Sequence, residues 1–161
     1  MASRHSAMQP RILVVLVLHS WIRWLVLVSA VGALVFLARG AVPKRPFGAS
    51  DSLALRLFLS AFDTQVLFGL TLYFLSPLGL PRDIDMALVM KSSVLRYFAL
   101  EHISGMLTAL AIAHVGWVRA RSGPMEKRRG RALWAVGLPL FIVLLTLPWP
   151  GTPYARDLFR L

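Results

Sequence analysis

Four long apolar stretches, separated by short charged connectors, constrain this chain more than any other feature of its sequence. They fall at about residues 12–38, 54–76, 94–118 and 132–148. An α-helix needs about 20 mostly apolar residues to cross the hydrocarbon of a bilayer. These stretches are apolar around the whole helix circumference, whereas barrel strands alternate in polarity. The sequence therefore predicts an all-α, polytopic membrane protein built as a four-transmembrane-helix bundle.

The amount of apolar surface supports the same conclusion. Hydrophobic residues make up 57% of the 161 residues and the mean hydropathy is +0.67, which is more than one soluble core of this size can bury. Lipid must cover the excess. We find no internal repeat and no soluble domain appended to the spans, so residues 1–161 are interpreted as one transmembrane domain. Asp51 or Ser52 is expected to cap the second helix.

The net charge of +11 reflects membrane topology rather than nucleic-acid binding, because the basic residues lie mainly in short connectors. The loops at 39–53 and 119–131 should therefore be cytoplasmic, and the middle loop and both termini should lie outside. The first of these loops and its flank carry Arg39, Lys44, Arg45 and Arg56; the second carries Arg119, Arg121, Lys127, Arg128, Arg129 and Arg131.

The absence of cysteine excludes disulfides, thiolate metal sites and haem attached through thioethers. Any cofactor must be held by histidine, methionine, carboxylate or packing. Ionisable residues inside a span are costly and mark functional candidates. They are concentrated in three spans: His19 and Arg23 in the first, Asp63 in the second, and Glu101, His102 and His114 in the third.

Helix geometry brings two of these histidines to the same level. His19 and His102 each lie about eight residues inside a helix that enters from the outside, which is roughly 12 Å of depth. Level histidines on facing helices are a common way for a bundle to hold a cofactor, and two imidazoles suit a low-spin b-type haem. His102 also shares a face with Gly105, Ala109, Ala113 and Gly116, a small-residue stripe whose simpler interpretation is close helix packing.

The remaining polar residues have structural and functional interpretations. Arg23 and Asp63 are predicted to pair at a similar depth, as a buried ion pair or as partners of a haem propionate or a quinone. Glu101 is expected to orient an imidazole or to reach the headgroups. Together Arg23, Asp63 and Glu101 form the predicted buried polar network. His114 is interpreted as interfacial, one turn from Arg119.

Several short segments occur in a fixed order along the chain: His19-Ser20-Trp21-Ile22-Arg23-Trp24, Asp63-Thr64-Gln65 with Gly69-Leu70 and Leu72-Tyr73-Phe74, Arg96-Tyr97-Phe98 followed by Glu101-His102, and Leu147-Pro148-Trp149-Pro150. Together they resemble a group of small four-helix bacterial membrane proteins labelled cytochrome b-like. The resemblance covers nearly the whole chain and implies a bacterial cytoplasmic (inner) membrane protein with a haem. In such a membrane, the termini that the charge pattern places outside are periplasmic.

Three functions are compatible with these residues. The first is an electron-transfer protein that binds one haem b, with His19 and His102 as iron ligands and Arg23 or Arg96 available to a propionate. The second is a non-catalytic accessory subunit of a larger respiratory or transport complex, in which protein subunits are the partners. The third is a quinone or proton-handling site around Arg23, Asp63 and Glu101. Hydrolytic and phosphoryl-transfer motifs are absent from the sequence, and whether the chain is an enzyme stays open.

Overall fold

The computed structural model describes residues 10–41, 45–76, 78–79, 85–157 and 159, and all regular secondary structure in those ranges is helical. The prediction of an all-α fold is confirmed for this part of the chain. The elements are α1 (Pro10–Ala41), α2 (Ala49–Leu75), α3 (Met86–Lys91), α4 (Ser93–Arg96), a π-helical turn (Tyr97–Glu101), α5 (His102–Ser122) and α6 (Met125–Leu145).

Three helices are long and apolar enough to cross a membrane: α1, α2 and the continuous helix Ser93–Ser122 that contains α4, the π-helical turn and α5. The sequence predicted four such spans. The difference arises in α6, because this helix begins at Met125, before the predicted span, and its first two turns carry a run of charged residues. Its apolar part is therefore confined to Ala132–Leu145, which is short for a bilayer.

The four long helices form a closed ring in the order α1, α2, α5, α6, each packing on the next and α6 returning to α1. The ring is filled by large apolar side chains from α1, α2 and α6, and by alanines where the helices approach closely. The largest fully buried ones include Leu37, Leu55, Phe58, Phe62 and Val136.

The small-residue stripe of α5 packs against α6 and the turn that follows it. A Cβ atom added to Gly116 would lie 2.5 Å from the Cβ of Ala135, and one added to Gly105 would lie 2.6 Å from Cγ2 of Thr146. Ala109 and Ala113 are fully buried in the same interface. The packing interpretation of this stripe is confirmed, because there is no space along it for a flat ligand.

The connectors are shorter than the sequence predicted. Only Gly123 and Pro124 separate α5 from α6, so most of the predicted loop at 119–131 is helical. Residues 42–48 join α1 to α2, where the sequence predicted a loop at 39–53. The basic residues assigned to these two loops thus lie mostly on helix ends at one end of the bundle.

A buried ionic network ties α6 to the start of α2 at that end. The Arg129 guanidinium donates to both carboxylate oxygens of Asp51, at 2.9 and 3.2 Å. It also donates to the backbone carbonyls of Leu37, Arg45 and Pro46. The carboxylate accepts further from the Arg45 side chain at 2.9 Å and the Gly48 amide at 2.8 Å. Asp51 is only 1% exposed and its charge is fully compensated.

Candidate functional site

A cavity of about 330 Å³ opens at the opposite end of the bundle, among α1, α2, α5 and the segment that follows α6. Its walls are mostly apolar. The polar side chains among them come from separate elements and include His19, Arg23, Gln65, His102 and Arg156. A mostly apolar cavity with a few convergent polar groups is the usual form of a small-molecule or cofactor site.

The His102 imidazole is held in one orientation by the backbone. Its Nδ1 lies 2.8 Å from the carbonyl oxygen of Thr146, which can only accept, so Nδ1 carries the proton and donates. The neutral ring then has its lone pair on Nε2, and Nε2 has no hydrogen-bond partner among the described residues. A histidine that donates from one ring nitrogen to a carbonyl presents the other as a metal ligand.

The π-helical turn directly precedes His102. The turn carries one more residue than an α-helical turn, which is a common local change next to functional residues. Within it, the buried Tyr97 donates its hydroxyl to the same Thr146 carbonyl. The Tyr97 ring stacks on Tyr154, with centroids 3.7 Å apart. These contacts fix the start of α5 against the segment after α6.

His19 lies in α1 on the other side of the cavity, against α2. Its Nε2 is 3.2 Å from the side-chain nitrogen of Gln65, which donates, so the neutral ring carries its proton on Nδ1. A Cβ atom on Gly69 would lie 3.1 Å from Cε1 of His19, so the glycine leaves room for the ring. His19 Nδ1 and Gln65 Oε1 are buried and have no hydrogen-bond partner among the described residues.

Unsatisfied buried polar atoms cost about 1–3 kcal/mol each, so two of them beside one cavity indicate a site that is completed by a bound group. The side chain of Arg23, one turn along α1 from His19, also lines this cavity and is buried. A fixed positive charge in an apolar wall favours an anionic group in the cavity.

The segment after α6 closes this end of the bundle. Leu147, Pro148 and Arg156 line the cavity. Arg156 lies over the Phe98 ring at 4.8 Å, and Phe159 stacks on Trp24 of α1 at 5.0 Å. The segment is thus attached to both α1 and the start of α5.

The structure brings His19, His102 and Arg23 to one cavity, but it does not place the other predicted site residues there. Arg96, which was predicted as a possible partner of a haem propionate, does not line the cavity. Its side chain donates to Glu101 at 2.7 Å and to the Met90 carbonyl at 2.9 Å. The Glu101 side chain is 47% exposed, so it orients no imidazole and is not part of a buried network. The π-helical turn explains the error, since it changes which faces residues 96 and 101 occupy.

The predicted pairing of Arg23 with Asp63 is wrong. Asp63 instead accepts from Nε2 of His114 at 2.8 Å. Both side chains are on the outside of the bundle, 49% and 47% exposed. The Asp63 side chain points away from the ring interior, whereas Arg23 lines the cavity. His114 is therefore engaged with α2 rather than isolated at an interface.

Sequence reasoning missed three contributors to the site. Gln65 was a detectable one, since it is a polar residue inside an apolar span and follows Asp63 by two positions. The Thr146 carbonyl carries no side-chain signal. Arg156 lies after the last span, where nothing in the sequence indicates that the chain returns to cover the cavity.

Comparison with known proteins adds no assignment to this geometry: the chain matches no family model, no curated protein and no solved structure.

Proposed function

We propose that this chain is an integral membrane b-type cytochrome-like protein that binds one haem between His19 and His102. The observation that carries the proposal is that one cavity is lined by two histidines from different helices, and His102 presents an unprotonated Nε2. Haem, when bound, supplies one-electron transfer.

The donor set fits this group. No cluster of three or more histidine, cysteine or carboxylate side chains occurs in the described parts of the chain, but haem iron requires at most two protein ligands. The side chains that line the cavity would have separate roles in binding haem. His102 would bind the iron through Nε2. His19 would bind it through Nδ1 once the Gln65 amide is turned so that its oxygen accepts from His19 Nε2, which would also satisfy the buried Gln65 Oε1. Arg23 and Arg156 would supply positive charge for the propionates, and the apolar wall would exclude water.

The test is the colour of the protein. Protein purified in detergent from haem-replete cells is expected to show b-type bands in a reduced-minus-oxidised spectrum, with one haem per chain by pyridine haemochrome assay. A stable, correctly folded protein that stays colourless after incubation with haemin would contradict the proposal.

A quinone is the second candidate ligand, and the buried His19 Nδ1 favours it. This N–H is a donor without a partner in the described part of the chain, which suits a quinone carbonyl oxygen. Co-purification of a quinone with a colourless protein would support this function instead. A protein that carries neither ligand would leave the accessory subunit of a larger complex as the better account.

We also propose that α6 is the fourth crossing of a bacterial cytoplasmic membrane. α6 packs along α5 and closes the ring, and it presents apolar side chains outward, among them Trp134, Phe141 and Leu145. Its basic first turns would lie at the cytoplasmic surface, where Lys and Arg concentrate. Both termini are then periplasmic.

Because the chain lacks cysteine, single-cysteine probes report this topology without background. A Ser76→Cys probe is expected to react with a membrane-impermeant maleimide in intact cells, and a Ser122→Cys probe is expected to react only after lysis, since Ser122 adjoins the basic helix ends. Labelling of the Ser122→Cys probe alone from outside would reverse the orientation.

A further inference from the structure

The outer face shared by α2 and α5 carries a hydrogen-bonded pair of ionisable side chains where a lipid-facing surface should be apolar. Asp63 lies near the middle of α2, a helix of 27 residues that is long and apolar enough to cross a membrane. His114 of α5 contacts it at 2.8 Å. Ionisable side chains within a membrane normally face the bundle interior or a water-filled cavity. Here both side chains are about half exposed on the outside.

The surroundings of this pair are those of a helix-packing surface. Large apolar side chains flank it, with Leu57 59%, Leu67 64% and Val118 60% exposed. Small hydroxyl residues lie on the same exposed faces: Ser60 and Thr64 on α2, and Ser104 and Thr108 on α5. Small polar residues among apolar ones are typical of surfaces through which transmembrane helices associate.

The hydrogen-bonding capacity of the pair is only half used. One carboxylate oxygen of Asp63 accepts from His114 Nε2, and the second has no partner among the described residues. Nδ1 of His114 is also without a partner in the described ranges, and it is a second donor when the ring carries both protons. In hydrocarbon, a free acceptor and a free donor of this kind are both expensive.

We propose that this face, defined by Asp63 and His114, is the interface of a symmetric homodimer. A two-fold axis beside the pair brings the free donor of His114 in one copy to the free carboxylate oxygen of Asp63 in the other, and the reverse. An acid and a base side by side are self-complementary under this operation, which is the requirement of an interface that pairs the same patch from two copies. The four groups then have no exposed charge towards lipid.

Cross-linking tests this geometry directly. Thr64→Cys introduces the only thiol of the chain beside Asp63, on the exposed face of α2. The matched control is Val28→Cys on α1, where the native side chain is 67% exposed. In vesicles at high lipid-to-protein ratio, mild oxidation is expected to join two Thr64→Cys chains and to leave Val28→Cys chains single.

The charge pair is tested in the Thr64→Cys background. Asp63→Asn is expected to weaken dimerisation by about fivefold to thirtyfold, the size expected for two interhelical hydrogen bonds in a membrane. The exchanged pair Asp63→His with His114→Asp keeps the same donors and acceptors and is expected to restore the dimer. Circular dichroism of each variant separates loss of association from loss of folding.

Three outcomes would overturn the proposal. They are equal cross-linking of the Thr64→Cys and Val28→Cys chains, a dimer that is unchanged by Asp63→Asn in folded protein, and cross-links in native membranes that join Thr64→Cys only to a different polypeptide. The last would assign this face to a foreign subunit.

Discussion

Replacing His102 by alanine is expected to abolish the low-spin b-type spectrum of the purified protein. The lone pair on Nε2 is lost, and no other histidine lines the cavity on the α5 side. His19→Ala should have the same effect, because a six-coordinate iron needs both imidazoles. The measurement is the reduced-minus-oxidised spectrum at equal protein concentration, with circular dichroism to show that the helices are retained.

His114→Ala is the matched control, since this histidine lies on the outer face and should leave the spectrum unchanged. His102→Met is a more informative variant than alanine. A thioether can still ligate iron and is expected to raise the reduction midpoint potential, which a merely structural histidine would not do. A native spectrum in both the His19→Ala and His102→Ala variants would show that these histidines are not the iron ligands.

Asp51→Asn is expected to destabilise the bundle by about 3–5 kcal/mol, the usual cost of removing one partner from a buried ion pair. Arg129 would keep its positive charge, 8% exposed, with only neutral acceptors around it. Arg129→Lys should be nearly as damaging, because an ammonium cannot reach both carboxylate oxygens and three carbonyls at once. The transition is followed by circular dichroism during chemical or thermal unfolding in detergent.

Lys127→Met is the control for this prediction, because it removes a basic residue from the exposed side of the same helix turn. It should leave the unfolding transition in place. The double variant Asp51→Leu with Arg129→Met should recover part of the loss, since neither charge remains to be compensated. If Asp51→Asn unfolds at the same point as the native protein, the network does not hold the helices together.

The helices were predictable because the length and apolar character of a helix depend on residues that are close together in the sequence. Each of the four predicted spans overlaps one long helix. The start of α6 was not predictable from hydropathy, because its first two turns are helical although most of their residues are charged. The role of Arg129 was missed for the same reason. From the sequence it is interpreted only as a basic residue of a cytoplasmic loop, whereas in the structure it pairs with Asp51.

The site was only partly predictable because side-chain direction depends on packing. Helical depth correctly associated His19 with His102, since both lie near the same end of their helices. It failed for Asp63, whose side chain lies on the outer face of the bundle and contacts His114. It also failed for Arg96 and Glu101, because a single extra residue in the π-helical turn changes the phase of the helix there. We find no local sequence pattern from which this π-helical turn could have been predicted.

The hydrogen bond from His102 to the Thr146 carbonyl has a consequence for the order in which the protein folds during synthesis. Ribosomes deliver the chain in order, so α1, α2 and α5 are present before residue 146 emerges. Until then the His102 ring lacks its Thr146 acceptor and the cavity lacks the cover of Leu147, Pro148 and Arg156. The helices α1, α2 and α5 can therefore pack before this end of the cavity is covered, which leaves an interval in which a large flat molecule can enter.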